Sequence, residues 1–423
     1  MKNATRAFLL LVCISFAYLG CTPEETPVTE VQAPTPTQTV PPTIESFSPQ
    51  SAFAGEQVTI NGTGFGQLPI GIQVFFGDVE AQVVSASSTK IVVIVPEGAE
   101  EEKIQVKAEG GQAFTGEAFT VFDFDMYVVG SQLGVGSRIW KNNILQEAMI
   151  DFSSNSFLTG IQIVENDIYV LGTNNNQIGV WKNQEPLPIE YGTPINTFSS
   201  DFFFENGEMT IAGNTGNRGL LWRGNEGEPL IPFFNAGDNS IVNSLTKNNG
   251  ITLVAGRNKG KAVVWEDNKL FSLPNKEGYD DSNAQDIVIT NNFNEIIVGT
   301  VSSSIAIPEE PAIWINRELN ILPFPNDFID MKITAVAADD NENYYVVGHG
   351  FRNGSYKACI WKNGVFSVLS DAGVSSSFAF DVTVFRDDVF VAGRIGSPAV
   401  VWINGEPAYL STGQANAIAI TEK

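Results

Sequence analysis

The side chains best suited to catalysis are scarce in this sequence. His349 is the only histidine among 423 residues, so a metal site built from several histidines is excluded and zinc would need carboxylate ligands alone. A Ser-His-Asp triad around His349 is arithmetically open, but no Gly-x-Ser-x-Gly motif supports one. The sequence therefore predicts no catalytic residue, no metal site and no cofactor.

Acidic side chains are abundant, with 48 Asp and Glu against 24 Lys and Arg. Paired carboxylates can hydrolyse glycosidic bonds. We identify no segment that places an acidic side chain in an apolar environment. The stretch DDNEN (339 to 343) begins like a calcium-binding loop, yet Tyr344 stands at its glycine position and Gly350 at its final glutamate position, which predicts a hairpin turn instead. A carbohydrate-active enzyme is the third choice among functions.

The formal net charge of -24 limits the partners. Nucleic acids and anionic lipid surfaces bind clustered Lys and Arg, which this chain lacks, so we expect no nucleic-acid partner. The acidity is typical of an exported protein that is kept soluble by its charge.

The first twenty residues read as an export signal. Lys2 and Arg6 precede the apolar run AFLLLVCISFAYLG, which is too short to span a bilayer, and Cys21 follows it. The layout resembles a bacterial lipoprotein signal, although Tyr18 stands where that signal prefers leucine; an ordinary cleaved signal is the alternative. The resemblance implies that the mature chain begins at an acylated Cys21 and stays on a membrane through its lipid.

Residues 21–43 predict an extended tether, rich in Pro, Thr and Glu and with almost nothing to bury. Its opening CTPEET resembles the acidic surface-export signal of lipoproteins in Bacteroidetes-type bacteria. We therefore expect a lipid-anchored protein of the bacterial cell envelope, at the outer membrane and exposed on the surface.

Residues 44–121 predict a β-sandwich of six or seven short strands, because apolar and polar residues alternate between turn signals. The segments VTINGTGFG (58 to 66), VFFG and IVVIVP closely resemble an IPT/TIG domain, an immunoglobulin-like module. Gly62, Gly64 and Gly66 would permit positive φ in a tight turn.

From residue 122 onward the chain repeats one plan seven times. In each unit a strand ends in glycine, and a tryptophan follows in the next strand, as in YYVVG and ACIWKNG; the tryptophans are 140, 181, 222, 265, 314, 361 and 402. Four antiparallel strands (a to d) per unit of about 40 residues predict a seven-bladed β-propeller over residues 122–423, in an all-β protein.

Two features of the repeat have structural explanations. The first unit lacks a strand a, whereas the last is followed by ANAIAIT (415 to 421), so the C-terminal strand is predicted to close the ring. A tryptophan present in every unit indicates packing between blades rather than ligand binding. Cys359 falls in a column of small residues and is predicted to be a buried core residue without a disulfide partner.

Loop lengths point to one face of the ring. Length variation falls in the b–c and d–a connections, which emerge on the same side of a propeller, and insertions on one face mark a binding face. Aromatic and polar residues there would suit a glycan or an extended peptide. The predicted ligand-binding residues are Tyr279, Asp280, Asp281, His349, Phe351, Arg352 and Tyr356, the last four within a b–c loop at 349–356.

The sequence therefore favours a membrane-anchored binding lipoprotein that presents one propeller face to a ligand, a glycan being the first candidate. The alternative is a protein-interaction or assembly scaffold of the cell envelope. A glycan-binding protein should be retarded by polysaccharide in an affinity gel, whereas a scaffold should co-purify with envelope proteins.

Overall fold

The computed structural model describes residues 41–66, 70–100, 102–146, 153–190, 197–225, 228–248, 250–303, 307–369, 373 and 376–423. Cys21, the signal and nearly all of the tether lie outside these ranges. The described residues fall into two compact units divided between Thr120 and Val121, and every regular element in them is a β-strand. No helix long and apolar enough to cross a bilayer occurs within these ranges.

The first unit is the predicted sandwich. Its strands are β1 (Thr43–Ser48), β2 (Ser51–Ala52), β3 (Gln57–Thr63), β4 (Gln73–Phe76), β5 (Val79–Ala86), β6 (Lys90–Ile94), β7 (Ile104–Ala108), β8 (Gly111–Phe114) and β9 (Thr120–Val121). Strand β5 pairs with β4 through its first residues and with β6 through its last ones. One strand therefore links β1-β3-β6 to β4-β7-β8.

The glycines of VTINGTGFG do two different things. Gly64 and Gly66 have φ of 72° and 90°, as predicted for a turn. Gly62 instead lies inside β3, where a Cβ would stand 1.9 Å from the carbonyl oxygen of Thr43. The positive φ expected at Gly62 was wrong, because this glycine serves the close approach of β1 to β3.

The second unit contains seven four-stranded sheets, which are the blades of the propeller. In chain order the strands are β10 (Phe124–Gln132), β11 (Gly136–Lys141) and β12 (Ile144–Leu145) of blade 1; β13 (Phe157–Val164), β14 (Asp167–Asn174), β15 (Gln177–Lys182) and β16 (Glu185–Pro186) of blade 2; β17 (Thr197–Glu205), β18 (Glu208–Thr215), β19 (Arg218–Asn225) and β20 (Ile231–Asp238) of blade 3; β21 (Ser240–Asn248), β22 (Ile251–Asn258), β23 (Lys261–Glu266) and β24 (Lys269–Ser272) of blade 4; β25 (Asp281–Ile289), β26 (Glu295–Ser303), β27 (Ile307–Ile315) and β28 (Glu318–Ile321) of blade 5; β29 (Ile329–Ala338), β30 (Tyr344–Arg352), β31 (Ser355–Lys362) and β32 (Val365–Val368) of blade 6; β33 (Ser377–Phe385), β34 (Asp388–Ile395), β35 (Pro398–Ile403) and β36 (Glu406–Thr412) of blade 7; and β37 (Gln414–Glu422).

The C-terminal strand closes the ring as predicted. Strand β37 pairs antiparallel with β10 from Phe124–Glu422 to Ser131–Gln414 and so supplies strand a of blade 1. It also contacts strand a of blade 7 (β33) and of blade 2 (β13). The seven strands a thus contact one another in a closed circle around the axis of the propeller.

The tryptophans pack between blades, which confirms the structural interpretation of the repeat. All seven are at most 6% exposed. Trp222 belongs to a cluster with Tyr169 and Phe204 of blades 2 and 3, and Trp402 to one with Val347 of blade 6. Each such cluster joins two neighbours, so the tryptophans stabilise the ring.

Cys359 is also a core residue, as the sequence predicted. It is fully buried within the cluster that joins blades 5 and 6, and burial raises the pKa of its thiol to about 12. The thiolate needed for nucleophilic chemistry is therefore suppressed.

The recurring c–d turns have a second function beyond reversing the chain. Asn363-Gly364 and Asn404-Gly405 have positive φ at both residues, which is the type I′ turn that Asn-Gly favours. The Asn404 Oδ1 atom accepts a hydrogen bond from the Val389 N–H at 2.9 Å, and Asn363 does the same for Tyr344. The asparagine therefore ties the c–d turn back to strand b.

Replacing this asparagine should destabilise the blade. We expect Asn404→Ala to lower the free energy of unfolding by about 2 kcal/mol, because the bond to Val389 is lost and alanine is strained at φ 51°. Asn404→Gly loses the bond without the strain and should cost about half as much. Urea denaturation of both variants measures the difference, and equal stability of both with the wild type would contradict the role of the turn.

Two loop predictions need correction, and one stands. The segment 349–356 is not a loop, since β30 runs to Arg352 and β31 starts at Ser355. Likewise the spacing of 15 from Gly299 to Trp314 predicted a long b–c loop in blade 5, but most of these residues belong to β26 and β27. The hairpin turn predicted at DDNEN is confirmed, with the Asp339 carboxylate accepting hydrogen bonds from the backbone of Asn341 and Asn343.

Candidate functional site

A β-bulge occurs at the same place in strand a of every blade. One residue there has no partner in strand b, which re-aims its side chain. We call these residues the channel ring, because all of them line one central cavity: Thr159, Ser200, Asn243, Gln285, Thr334, Phe380 and Asn416.

The bulge also explains the glycine repeated in strand b. A Cβ at these positions would lie between 1.9 and 2.8 Å from a carbonyl oxygen of strand a, so only glycine fits. These glycines are 130, 172, 213, 256, 299, 348 and 393. The prediction that strand b ends at this glycine was wrong, because in blade 6 β30 continues beyond Gly348 to Arg352.

The residues two places before the channel ring lie near the start of strand a, which is its b–c and d–a end, and three of them line a second cavity there. We call them the mouth column: Phe157, Phe198, Ile241, Asn283, Lys332, Phe378 and Gln414. Phe157 is 48% exposed and Phe198 is 53% exposed. The mouth therefore has aromatic residues on blades 7, 2 and 3 and polar residues on blades 5 and 6.

The residues directly after the channel ring include three aspartates, Asp201, Asp286 and Asp381. They also line the cavity, and each links two blades. In Asp381, Oδ1 accepts a bond from the Val382 N–H at 2.8 Å and Oδ2 accepts one from the Ile418 N–H of blade 1 at 2.9 Å. Asp201 and Asp286 bond in the same way to the backbone of blades 4 and 6.

Burial shifts the ionisation of these carboxyls. Although their side chains keep some contact with the cavity, desolvation raises the pKa of Asp286 to about 6 and that of Asp381 to about 7. The neighbouring carboxylates raise both pKa values further, while the backbone N–H groups oppose the shift. The pKa of Asp201 is raised by burial as well. The sequence analysis, which identified no acid in an apolar setting, missed these three desolvated carboxyls.

Two cavities meet at Asn243 and Gln285. The central one has a volume of about 360 Å³ and is lined by strand a of all seven blades. The second, of about 300 Å³, lies at the mouth between blades 4, 5 and 6 and is lined by Arg257, Asp281 and Lys332 among others. Together they form a continuous polar space, and the second cavity lies at the b–c and d–a end of strands a.

The predicted site residues fall into two separate groups. In the first, the Tyr279 Oη atom donates to Glu310 at 2.6 Å, and the Asp280 carbonyl oxygen accepts a bond from Lys261. Asp281 pairs with Arg257 at 2.5 Å and lines the second cavity.

In the second group, three rings meet on blade 6. The ring centroid of Phe378 in blade 7 lies 4.9 Å from that of His349 and 5.1 Å from that of Tyr356. The ring centroids of Phe351 and Tyr356 are 5.3 Å apart. Arg352 turns away and pairs with Asp327 at 2.7 Å. None of these four residues lines either cavity. His349 and Tyr356 pack against Phe378 of the mouth column.

His349 is partly buried and its imidazole is uncharged at neutral pH. Burial lowers its pKa to about 4, and its Nδ1 atom is buried without a hydrogen-bond partner among the described residues. Within the same ranges, no three His, Cys, Asp or Glu side chains are grouped to hold a metal ion.

The residues that sequence reasoning missed all lie in strand a. Aligning FLTGI, FSSDF, IVNSL, NAQDI, KITAV, FAFDV and QANAI would have shown the phenylalanines in the first column, a polar third column broken by Phe380, and the aspartates in the fourth. The alignment made from the tryptophans and glycines covered strands b and c, so these columns were not compared.

Known proteins resemble parts of this chain. A family model described as the IPT/TIG domain matches residues 42–121, and a search of curated protein sequences found no match. An auxiliary nutrient binding protein from Bacteroides thetaiotaomicron is similar over 84% of this chain and 96% of its own, with 12% identity and a TM-score of 0.42. One from Bacteroides ovatus has the same coverage, 14% identity and a TM-score of 0.41.

A catalytically inactive virginiamycin B lyase from Staphylococcus aureus shares 11% identity over 61% of this chain and 85% of its own, with a TM-score of 0.43. Values this low bear on neither the ligand nor the activity. Residues 42–121 therefore belong to the IPT/TIG domain family, and the residues that follow them form a seven-bladed β-propeller.

Proposed function

We propose that this chain is a binding protein of the bacterial cell envelope that holds a glycan at the mouth of the propeller channel. The observation that carries the proposal is the exposure of Phe157 and Phe198, each two residues before a residue that lines a polar cavity. Exposed aromatic faces stack on the C–H faces of sugar rings, while nearby amides and hydroxyls bind the sugar hydroxyls. Phe378 continues the aromatic side on blade 7.

The polar side of the mouth supports the same ligand class. Asn283 and Lys332 of the mouth column and the Arg257–Asp281 ion pair supply hydrogen-bonding groups on blades 4 to 6. A ligand with apolar ring faces and many hydroxyls uses both sides.

We also propose that the protein is attached to a membrane, and this part of the proposal rests on the sequence alone. The basic start, the apolar run and Cys21 support a lipid anchor, and the acidic residues after Cys21 support the outer membrane and surface exposure. The tether would hold the binding face away from the membrane.

We propose binding without catalysis. Asp286 and Asp381 resemble catalytic acids in their raised pKa, but both oxygens of each carboxyl already accept backbone hydrogen bonds. A general acid or base needs an oxygen free to reach the substrate. The second candidate, a protein partner, is favoured by Leu133, which is 98% exposed on the b–c turn of blade 1.

Removing the aromatic mouth residues tests the proposal. Soluble residues 22–423 would be run in affinity gels containing polysaccharides and incubated with envelope extract. We expect glycan binding by the wild type and a loss of about tenfold in affinity for each of Phe157→Ala and Phe198→Ala, since a stacked ring contributes about 1 kcal/mol or somewhat more.

The matched control is Phe293→Ala, which removes a phenylalanine that is 61% exposed in the a–b turn of blade 5, on the opposite face. It should bind as the wild type does. Retention of envelope proteins with no glycan binding would favour the scaffold instead, and undiminished glycan binding by the Phe157→Ala/Phe198→Ala double variant would contradict the site.

A further inference from the structure

Most channel-ring residues form hydrogen bonds that link neighbouring blades. Ser200, Asn243, Thr334 and Asn416 each donate a hydrogen bond to a backbone carbonyl of the next blade, at 2.7 to 3.1 Å. Thr159 bonds to Ser199 of the next blade at 2.8 Å. These five side chains hold the ring together and are therefore explained without a ligand.

Gln285 and Phe380 do not take part in this linkage. On their blades the following aspartates, Asp286 and Asp381, make the bond to the next blade instead. Gln285 Oε1 accepts a bond from Asn283 of its own strand, and Phe380 has no polar atom. The ring thus departs from its own repeat on blades 5 and 7 and frees two side chains that face the cavity.

These two residues extend the mouth inward. Phe380 follows Phe378 along β33, with the two rings parallel to within 6° and their centroids 6.3 Å apart. Gln285 follows Asn283 along β25 in the same way. Blade 6, with Lys332 and Thr334, lies between them. An aromatic pair on blade 7 and an amide pair on blade 5 therefore follow the channel on either side of blade 6.

We infer that the ligand enters end-on: the terminal unit of a glycan chain inserts into the channel, stacking on Phe380 and hydrogen-bonding to Gln285. The inference rests on the proposed glycan binding. Strand a of all seven blades encloses the central cavity, so a polymer cannot lie sideways inside it. Only a chain end reaches the ring, and binding then depends on the number of ends rather than the mass of sugar.

The first experiment varies the number of chain ends. Starch, β-1,3-glucan, mannan, xylan and galactan are tested in affinity gels, and the polymer that is bound is then compared with its own partial digest as a competitor at equal mass. End-on insertion predicts that a tenfold increase in ends lowers the midpoint of competition about tenfold. A midpoint that is unchanged or raised by digestion would overturn the inference while leaving glycan binding intact.

The second experiment replaces Phe380 with an amino acid that occurs at other positions of the channel ring. Phe380→Thr introduces the residue found at Thr159 and Thr334 and leaves the Asp381 linkage in place, so the thermal midpoint should match the wild type. We expect its affinity for the digest to fall about tenfold or more, with Phe293→Ala unchanged.

Wild-type affinity in folded Phe380→Thr would overturn end-on insertion. A wild-type protein that binds none of the five polymers or their digests would overturn the proposed function and, with it, this inference.

Discussion

Deletion of residues 412–423 is expected to abolish cooperative folding of the propeller. The deletion removes β37, which pairs with β10 on its inner side. It also removes Ala417 from the cluster that joins blades 1 and 2, and Ile418, whose N–H bonds to Asp381. Eight paired residues at roughly 1 kcal/mol per lost bond, plus the exposed apolar surface, rival the whole stability of a domain, about 5–15 kcal/mol.

Thermal unfolding followed by circular dichroism and calorimetry checks this result. The truncated chain should show a broad transition without a calorimetric peak for the propeller. A synthetic peptide of residues 412–423 added in trans should restore the peak, whereas a scrambled peptide of the same composition should not. A truncated protein that melts like the full chain would show that β37 does not close the ring.

The fold could be predicted because its recurring parts use recurring residue types. Every blade needs a large apolar side chain against its neighbour, and tryptophan fills that place seven times, from Trp140 to Trp402. The c–d hairpins need positive φ at two residues, which Asn-Gly supplies at Asn363 and Asn404. Closure could be predicted from a strand missing at the start of the repeat and an extra one at its end.

The site could be predicted only as far as its face. Loop lengths directed attention to the b–c and d–a face and to residues such as Tyr279 and Arg352, which the structure engages in local bonds. The bulge was not predicted, because one unpaired residue shifts the alternation of strand a and hides which side chains face the axis. Gly348 was the available indication of the bulge, since a glycine inside a strand marks a close approach of another backbone segment.

Ring stability and ligand recognition share the same strands. A channel-ring residue that bonds to the next blade cannot give the same donor to a ligand. Blade 3 has both kinds of link to the next blade, through Ser200 and through Asp201, whereas blades 5 and 7 are linked by Asp286 and Asp381, whose carboxylates accept the bond. Blades 5 and 7 therefore remain linked although Gln285 and Phe380 make no bond to the next blade, and the desolvation of the aspartate charge opposes this link energetically.

Asp381 is the aspartate whose loss should matter most, because it ties blade 7 to the closing strand. Asp381→Ala leaves the N–H groups of Val382 and Ile418 without their acceptor, and we expect the free energy of unfolding at pH 7 to fall by about 2–4 kcal/mol. Urea denaturation measures it. Asp387→Ala, an exposed aspartate in the a–b turn of the same blade, should change stability by less than about 0.5 kcal/mol. Equal effects of the two variants would contradict the linkage.

The same carboxyls should make stability depend on pH in a defined direction. The folded pKa values of Asp286 and Asp381, about 6 and 7, lie above the 3.8 of an ordinary aspartate. Between pH 3.8 and those values the folded protein binds more protons than the unfolded chain, so the free energy of unfolding decreases as pH rises through this window. Each aspartate contributes a slope of at most about 1.4 kcal/mol per pH unit.

Thermal midpoints between pH 4.5 and 8 test that sign. The wild type should be more stable at pH 5 than at pH 8, and Asp381→Asn, which has no carboxyl to titrate, should show a shallower decline between pH 5 and 7. Asp387→Ala should keep the wild-type slope. The asparagine side chain has one oxygen acceptor, so its amide N–H group faces the N–H group of Val382 or of Ile418. Asp381→Asn should therefore be less stable than the wild type at pH 5. The difference should be smaller at pH 8, where the wild type has lost stability. An unchanged slope in Asp381→Asn would show that this carboxyl does not titrate in the window.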